Sequence, residues 1–402
     1  MRKNLTTILI FTILLPLLSG CWDRVEVTDL SIAVALGIDK NDNGEFEISV
    51  QVLNPSENAA NTGDGSGYDT PVTTYSATGH ILFEASRKLT TKTPSEIYMS
   101  HLRIIVVGEE VAKEGIYDVL DVLSRDPEVR TDFYVLIARE HKAKDILGML
   151  TSISKIPANK MFNALNASAD SWAATGKKRL HELMDEIVSD GIQPTLTGIK
   201  VEGDPKAVKG KEDIPYVIPN SIITFNGTGV FKKNKLVGWL TEEESKGLNY
   251  VKDNVESTAI VFKQNDDFIG IELIKSKTEI TPKIRHGVPS ITVKISGDAN
   301  VAEVNTKIDL SSPSVIAQLE KQSNKDVKDI ITKTVHKAQK DFKSDIFGFG
   351  KAIHKNDPKA WVKLKDKWSD TFPDITVNID VDIHIRREGT INNPFHNELG
   401  EE

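Results

Sequence analysis

The chain is 402 residues long, 39% hydrophobic and 27% charged, with a formal net charge of -8. That is the balance of a folded globular protein, and its sign gives no reason to expect nucleic-acid binding. A single cysteine excludes a disulfide framework, which needs an even number, and at about 100–200 residues per domain the length calls for two or three domains.

The first twenty residues read as a leader. Arg2 and Lys3 make a positive start, and Leu5 to Leu18 is an uncharged, mostly apolar run. It is shorter than the roughly 20 apolar residues a membrane-spanning helix needs and fits the apolar centre of a secretory signal peptide. Leu18-Ser19-Gly20-Cys21 follows: a large apolar residue, two small ones and the chain's single thiol. Small residues let the backbone lie extended in a peptidase groove, so cleavage is expected between Gly20 and Cys21. The Cys21 thiol would carry a thioether-linked diacylglycerol and its amine a further acyl chain. At about 0.8 kcal/mol per buried CH₂, two or three such chains form a stable anchor. No other segment reaches 18 continuous apolar residues, so the rest is expected outside the bilayer.

Residues 30 to 53 predict two strands. Ile32, Val34 and Leu36 alternate on the first, Phe46, Ile48, Val50 and Val52 on the second, and Asp42-Asn43-Gly44 makes the hairpin turn. Pro55 to Pro71, with Gly63, Gly65 and Gly67, reads as a polar surface loop. From His80 helices alternate with buried strands: a helix from Ile81 to Thr90, a strand from Leu102 to Val107, a helix from Glu109 to Ser124, a strand from Phe133 to Ala138 and a helix from Lys142 to Leu150. Two further helices, near Asn159–Trp172 and Lys177–Ser189, close an N-terminal α/β-type domain spanning 21–200.

Gly203, Pro205, Gly210, Pro215 and Pro219 mark a boundary, and a small middle domain is expected over 201–265. There Ile222 to Phe225 and Gly229 to Lys232 suggest strands, and Thr241 with Glu244 three residues on forms a capping box. A C-terminal α+β domain is expected over 266–390. Ser312-Pro313 and Asp357-Pro358 each open a helix. Ile375, Val377, Ile379, Val381, Ile383 and Ile385 alternate with polar residues, the pattern of a long antiparallel strand with one wet face. Residues 391–402 read as a flexible tail. The fold class is α+β: three domains, mixed and antiparallel sheets covered by helices, and long antiparallel strands in the C-terminal domain.

Fragments that look chemical mostly fail. Asp39 to Gly44 matches the opening of a calcium loop, but the twelfth place holds Val50 in place of a bidentate Glu. His181-Glu182 opens a zinc-protease pattern whose second histidine position is Asp185. Gly348-Phe349-Gly350-Lys351 lacks the upstream glycine of a phosphate loop, since Asp345 stands there. No catalytic residue, metal site or cofactor is assigned beyond the covalent lipid on Cys21. One charge feature stands out: between Lys321 and Lys367 thirteen lysines face six aspartates. That stretch reads either as solvated helix faces or as a basic surface turned toward anionic lipid or an acidic partner.

Several blocks together carry a family likeness. They are Gly20-Cys21-Trp22-Asp23-Arg24 with Glu26 and Asp29-Leu30, Gly37-Ile38-Asp39, Thr73 to Ala77, Ser100 to Arg103, Ser124 to Arg130, Asp345 to Gly350, Trp361 through Trp368, Phe372-Pro373-Asp374, and Val377 to Val381 with Arg386-Arg387 and Gly389. In this order the chain resembles the C-subunit lipoproteins of bacterial spore nutrient-germinant receptors. The match is poor from Asn54 to Asp69. The resemblance implies a three-domain α+β lipoprotein on the outer face of the spore inner membrane. It also implies assembly with two integral-membrane subunits, A-type and B-type, without enzymatic activity. Only Cys21 is carried over as a site; the family likeness assigns no nutrient-contacting residue. The alternative is a solute-binding lipoprotein of a nutrient importer, which would need two similar lobes around a cleft. A cell-wall enzyme would need an acid/base or metal pair, which the sequence does not display.

Overall fold

The structure, a computed structural model, describes residues 30–54, 70–151, 154, 156–204, 220–264, 267–305 and 308–386, together with Asn4 and Glu26. The apolar leader, the glycine-rich stretch 55–69 and the tail 391–402 lie outside these residues.

Strands β1 (Leu30–Lys40) and β2 (Phe46–Leu53) form the expected hairpin, with Ile38 opposite Ile48, and β3 (Val72–Gly79) pairs on the far side of β2. Next come α1 (Leu82–Leu89), the short β4 (Glu96–Tyr98), β5 (Ile104–Gly108), α2 (Glu109–Glu114), α3 (Tyr117–Arg125), β6 (Tyr134–Ala138), α4 (Ala143–Leu147), α5 (Pro157–Ser171), α6 (Leu180–Val188) and β7 (Thr195–Gly203). The span expected as one helix from Glu109 is two, because Gly115 at φ 134° ends α2. Strands β8 (Ser221–Lys232) and β9 (Lys235–Leu240) complete a nine-stranded sheet ordered β3-β2-β1-β5-β6-β7-β8-β9, with β4 beside β1.

The middle of this sheet, β1-β5-β6-β7, is parallel, and both margins are antiparallel. Every residue of β5 and β6 is buried, as a parallel strand covered on both faces requires. Successive side chains serve opposite cores. Ile105, Val107, Val135 and Ile137 pack with α1, α3 and α6, while Ile104, Val106, Leu136 and Ala138 pack with α4 and α5. Within 201–265 the described strands β8 and β9 add to the free edge of β7, whose unpaired backbone groups need partners. The two short strands expected between Ile222 and Lys232 are one.

After α7 (Glu242–Val251) a second sheet runs β10 (Thr258–Gln264), β11 (Asp267–Arg285), β12 (Val288–Val304), β13 (Thr376–Ile385) in that order. The long antiparallel strands of the C-terminal region are β11, of 19 residues, and β12, of 17. They reverse at His286 and Gly287, both at positive φ. The terminal alternating strand departs from expectation: β13 pairs with β12 in parallel, Ile291 level with Val377. Alternation reports one buried face and says nothing of direction. The connection from β12 passes through α8 (Pro313–Lys337), α9 (Phe349–Asn356), α10 (Pro358–Leu364) and α11 (Trp368–Thr371), long enough for a parallel crossover. Helix α8 also blunts the β13 edge: Asn324 Oδ1 accepts the Ile383 N–H at 2.8 Å and Glu320 Oε1 the Ile385 N–H at 2.9 Å.

Candidate functional site

The parallel strands β1, β5 and β6 deliver their carboxyl ends to one edge of the first sheet, where an open α/β sheet forms its crevice. A cleft of about 390 Å³ lies there, lined among others by Asp39, Lys40, Glu109, Lys113, Glu140 and Lys142. Asp39 forms its floor and is 3% exposed. Its Oδ1 accepts the Ala143 N–H at 2.8 Å and its Oδ2 the Lys144 N–H at 2.9 Å, so it satisfies two of the orphan donors that open α4. Gly108, the last residue of β5, lies against it, and a Cβ there would collide with Asp39 Oδ1. Burial pushes the Asp39 carboxyl up to about 6, against the pull of those two N–H groups.

The walls carry both signs of charge. Burial of Glu109 is outweighed by Lys113, at 2.8 Å, and by the Trp239 indole N–H, at 3.3 Å, so its carboxyl is held below the usual range. The Arg139 guanidinium stacks 4.8 Å from the Trp239 ring and donates to Asn226 Oδ1 at 2.6 Å. Glu140, next in the chain, has φ 66°, a conformation that non-glycine residues adopt sparingly and that gathers at ligand clamps. The cleft is therefore polar and of mixed charge, and the buried carboxylate at its floor is spent on capping a helix.

At the opposite edge, where β7 begins, a second block of motif residues is drawn together. Asp345 is buried and accepts four hydrogen bonds: Gly348 N–H (3.0 Å) and Phe349 N–H (3.1 Å) on Oδ1, and Gly350 N–H (2.8 Å) and the Trp368 indole N–H (2.9 Å) on Oδ2. Gly348 takes φ 80° to bring these donors round. The residue that spoils the phosphate-loop pattern thus supplies its own anion: the Asp345 carboxylate sits where a phosphate would sit at a helix N-terminus. Burial raises its pKa, opposed by the same donors. The block is stitched to the first sheet: Gln193 N–H donates to Asp345 O at 2.7 Å, Lys351 N–H to Gly191 O at 2.9 Å and Ser344 Oγ to Phe231 O at 2.6 Å.

Between the two units lies a buried ionic cluster that no sequence spacing announces. Glu186 Oε1 takes Lys178 at 2.7 Å and Lys252 at 3.0 Å, from α6, the strand approach before it and the end of α7. Burial pushes Lys252 down, opposed by Glu186.

The other sequence candidates resolve locally. Asn41 Oδ1 accepts the N–H groups of Asn43 and Glu45, closing the hairpin turn that mimicked a calcium loop. Glu182 accepts the Arg179 N–H at 2.8 Å as part of the α6 start. Among the described residues no group of three or more His, Cys, Asp or Glu is placed to hold a metal, and no helix is long and apolar enough to cross a membrane. Gly20 and Cys21 lie outside the described residues.

Comparison with known proteins covers nearly the whole chain. The model of the spore germination protein N-terminal domain matches residues 23–201, and that of the spore germination B3/GerAC-like C-terminal domain matches residues 226–389. Spore germination protein KC of Bacillus subtilis (strain 168) is 33% identical over 99% of both chains. Spore germination protein B3 of the same organism is 26% identical over 93% of this chain and 95% of its own. The crystal structure of the GerBC protein superposes with a TM-score of 0.56 at 21% identity, covering 87% of this chain and 96% of that one. That last likeness is one of fold.

Proposed function

Because this chain belongs to the GerAC-like family of spore germination proteins, we propose that it is the lipid-anchored, non-enzymatic C-type subunit of a nutrient-germinant receptor. In this reading the leader is removed before Cys21, and lipid on that residue holds the folded part at the outer face of the spore inner membrane. There it assembles with an A-type and a B-type integral-membrane subunit. The observation that carries the reading is the end-to-end match to spore germination protein KC, 99% of each chain, on a sequence whose one cysteine follows Leu18-Ser19-Gly20.

The site chemistry agrees with a structural role. Asp39 accepts the first N–H groups of α4, and Asp345 accepts three backbone N–H groups at the start of α9 together with the Trp368 indole N–H, contacts that position helices. The two sheets differ in size, order and direction, unlike the paired lobes of a solute-binding protein.

Replacing Cys21 with Ala tests the reading. The protein should leave the membrane fraction, and germination through its receptor should fall. A released protein with an unchanged germination response would overturn it. Co-purification of both membrane subunits with the wild type tests the assembly.

A further inference from the structure

We propose that the exposed lysines of α9, α10 and the turn Lys365–Lys367 form a second, electrostatic contact with the anionic bilayer surface, on the same edge of the molecule as the lipid-bearing end. Lys351, Lys355, Lys359, Lys363, Lys365 and Lys367 are all exposed, and none has a carboxylate at ion-pairing distance among the described residues. Elsewhere in the lysine-rich stretch Lys333 pairs with Glu243, Lys337 with Glu244 and Lys340 with Asp374, while Lys321, Lys325, Lys328 and Lys343 are exposed and, among the described residues, likewise have no carboxylate at ion-pairing distance. The carboxylates within the six-lysine run are few. Asp357 caps α10 through the Ala360 N–H at 3.0 Å, and Asp366 is the remaining one. The opposite sides of these helices are buried at Ile353, Trp361 and Trp368, so the lysines cannot turn inward. Val362, 63% exposed, projects among them.

Placement favours lipid over an acidic protein loop. Strands β1, β5, β6 and β7 run parallel, so their first residues share one edge of the sheet. Leu30 begins β1 there, nine residues after Cys21, a tether of at most about 30 Å. Gly191 and Gln193, which hold the Asp345 block and the start of α9, lie just ahead of β7 on that edge. Three strand spacings separate β7 from β1, about 14 Å. The patch is therefore carried at the end where the lipid would enter the membrane, while the Asp39 cleft sits at the opposite end of the strands. The chain as a whole is acidic, at -8, so attraction to an anionic surface requires that this patch face it.

The orientation rests on the lipid-anchor reading, and the experiment omits the lipid so that the two can fail separately. The chain from Trp22 to Glu402 contains every described strand and helix from Leu30 onward. It is floated with vesicles of phosphatidylglycerol and phosphatidylcholine, and with phosphatidylcholine alone. Wild type should float only with the anionic vesicles and lose binding at high salt. Lys359→Gln with Lys363→Gln should lower partitioning by about 25-fold, at roughly fivefold per lysine. Lys321→Gln with Lys328→Gln, exposed on α8, should change it less than about twofold. Flotation indifferent to phosphatidylglycerol would overturn the proposal and turn attention to an acidic protein partner. An equal loss from the α8 pair would also overturn it, as an effect of net charge alone.

Discussion

Two aspartates do the same job at opposite edges of one sheet. Each lends a carboxylate to the N-terminus of the helix it opens, where orphan N–H donors and the helix dipole favour negative charge. They differ in cost. Asp39 accepts two N–H bonds and its pKa is pushed up to about 6 by burial. A group that binds its proton more tightly folded than unfolded stabilises the fold below its unfolded value and loses that contribution as pH rises through its folded value. From about 4 to about 6, therefore, ionising Asp39 weakens the fold. The Asp39→Asn variant keeps an acceptor oxygen and has no proton to lose. Urea midpoints should show wild type losing stability relative to the variant between about pH 4 and about pH 6. A relative gain for wild type over that interval would show the sign to be wrong. The Gly37-Ile38-Asp39 block is visible in the sequence, yet Asp39 reads there as the first place of a failed calcium loop. Its real partners, Ala143 and Lys144, lie more than a hundred residues away.

At the scale of elements, the Asp345 block is what fixes α9 to the rest of the molecule. Its carboxylate gathers three backbone donors and the Trp368 indole. Gly350 allows the close approach, because a Cβ there would lie 2.6 Å from Trp361 Cη2 and 2.8 Å from Gly191 Cα. Asp345→Ala leaves four buried donors unanswered and should cost about 3–5 kcal/mol in urea unfolding. A loss below about 1 kcal/mol would show that water satisfies them. The capping box at the start of α7 was legible from Thr241 and Glu244 alone, since both of its bonds are local: Thr241 N–H to Glu244 at 2.7 Å and the return bond at 3.3 Å. Strands β3, β7, β10 and β11 were not. Val72 to Gly79 mixes threonine and serine with few apolar residues, and β11 alternates clearly only at Ile269, Ile271 and Leu273 before a long run of exposed or half-exposed side chains, so neither keeps a hydrophobic period over its length.

Across the whole molecule, one apolar core bridges the two sheets. Val230 of β8 and Leu240 of β9 pack with Leu248, Tyr250 and Val251 of α7, and these continue into Ile271, Val293, Val327 and Phe349. The Glu186 cluster and the Asp345 stitches cross the same boundary. A shared core of this kind predicts one calorimetric unfolding transition for the folded part rather than two, provided the transition is reversible. Two resolved transitions would mean that the sheets fold as independent units.

What the sequence determined by itself was everything governed by near neighbours. The first hairpin, the buried central strands and the helix starts at Pro313 and Pro358 all rest on residues a few places apart. What only the tertiary structure decided was pairing at a distance. Alternation at 375–385 carries no strand direction, so the parallel pairing of β13 with β12 depended on the helical crossover before it. Composition around Pro205 and Pro219 marked a break in the chain, while β8 and β9 followed the free edge of β7 back into the first sheet. The lysine count from Lys321 to Lys367 was there to be read, but which of those charges lack partners depended on where Glu243, Glu244 and Asp374 came to rest. Periodicity and capping act within a turn or two of backbone; strand partners and ion pairs are settled by burial across the whole fold.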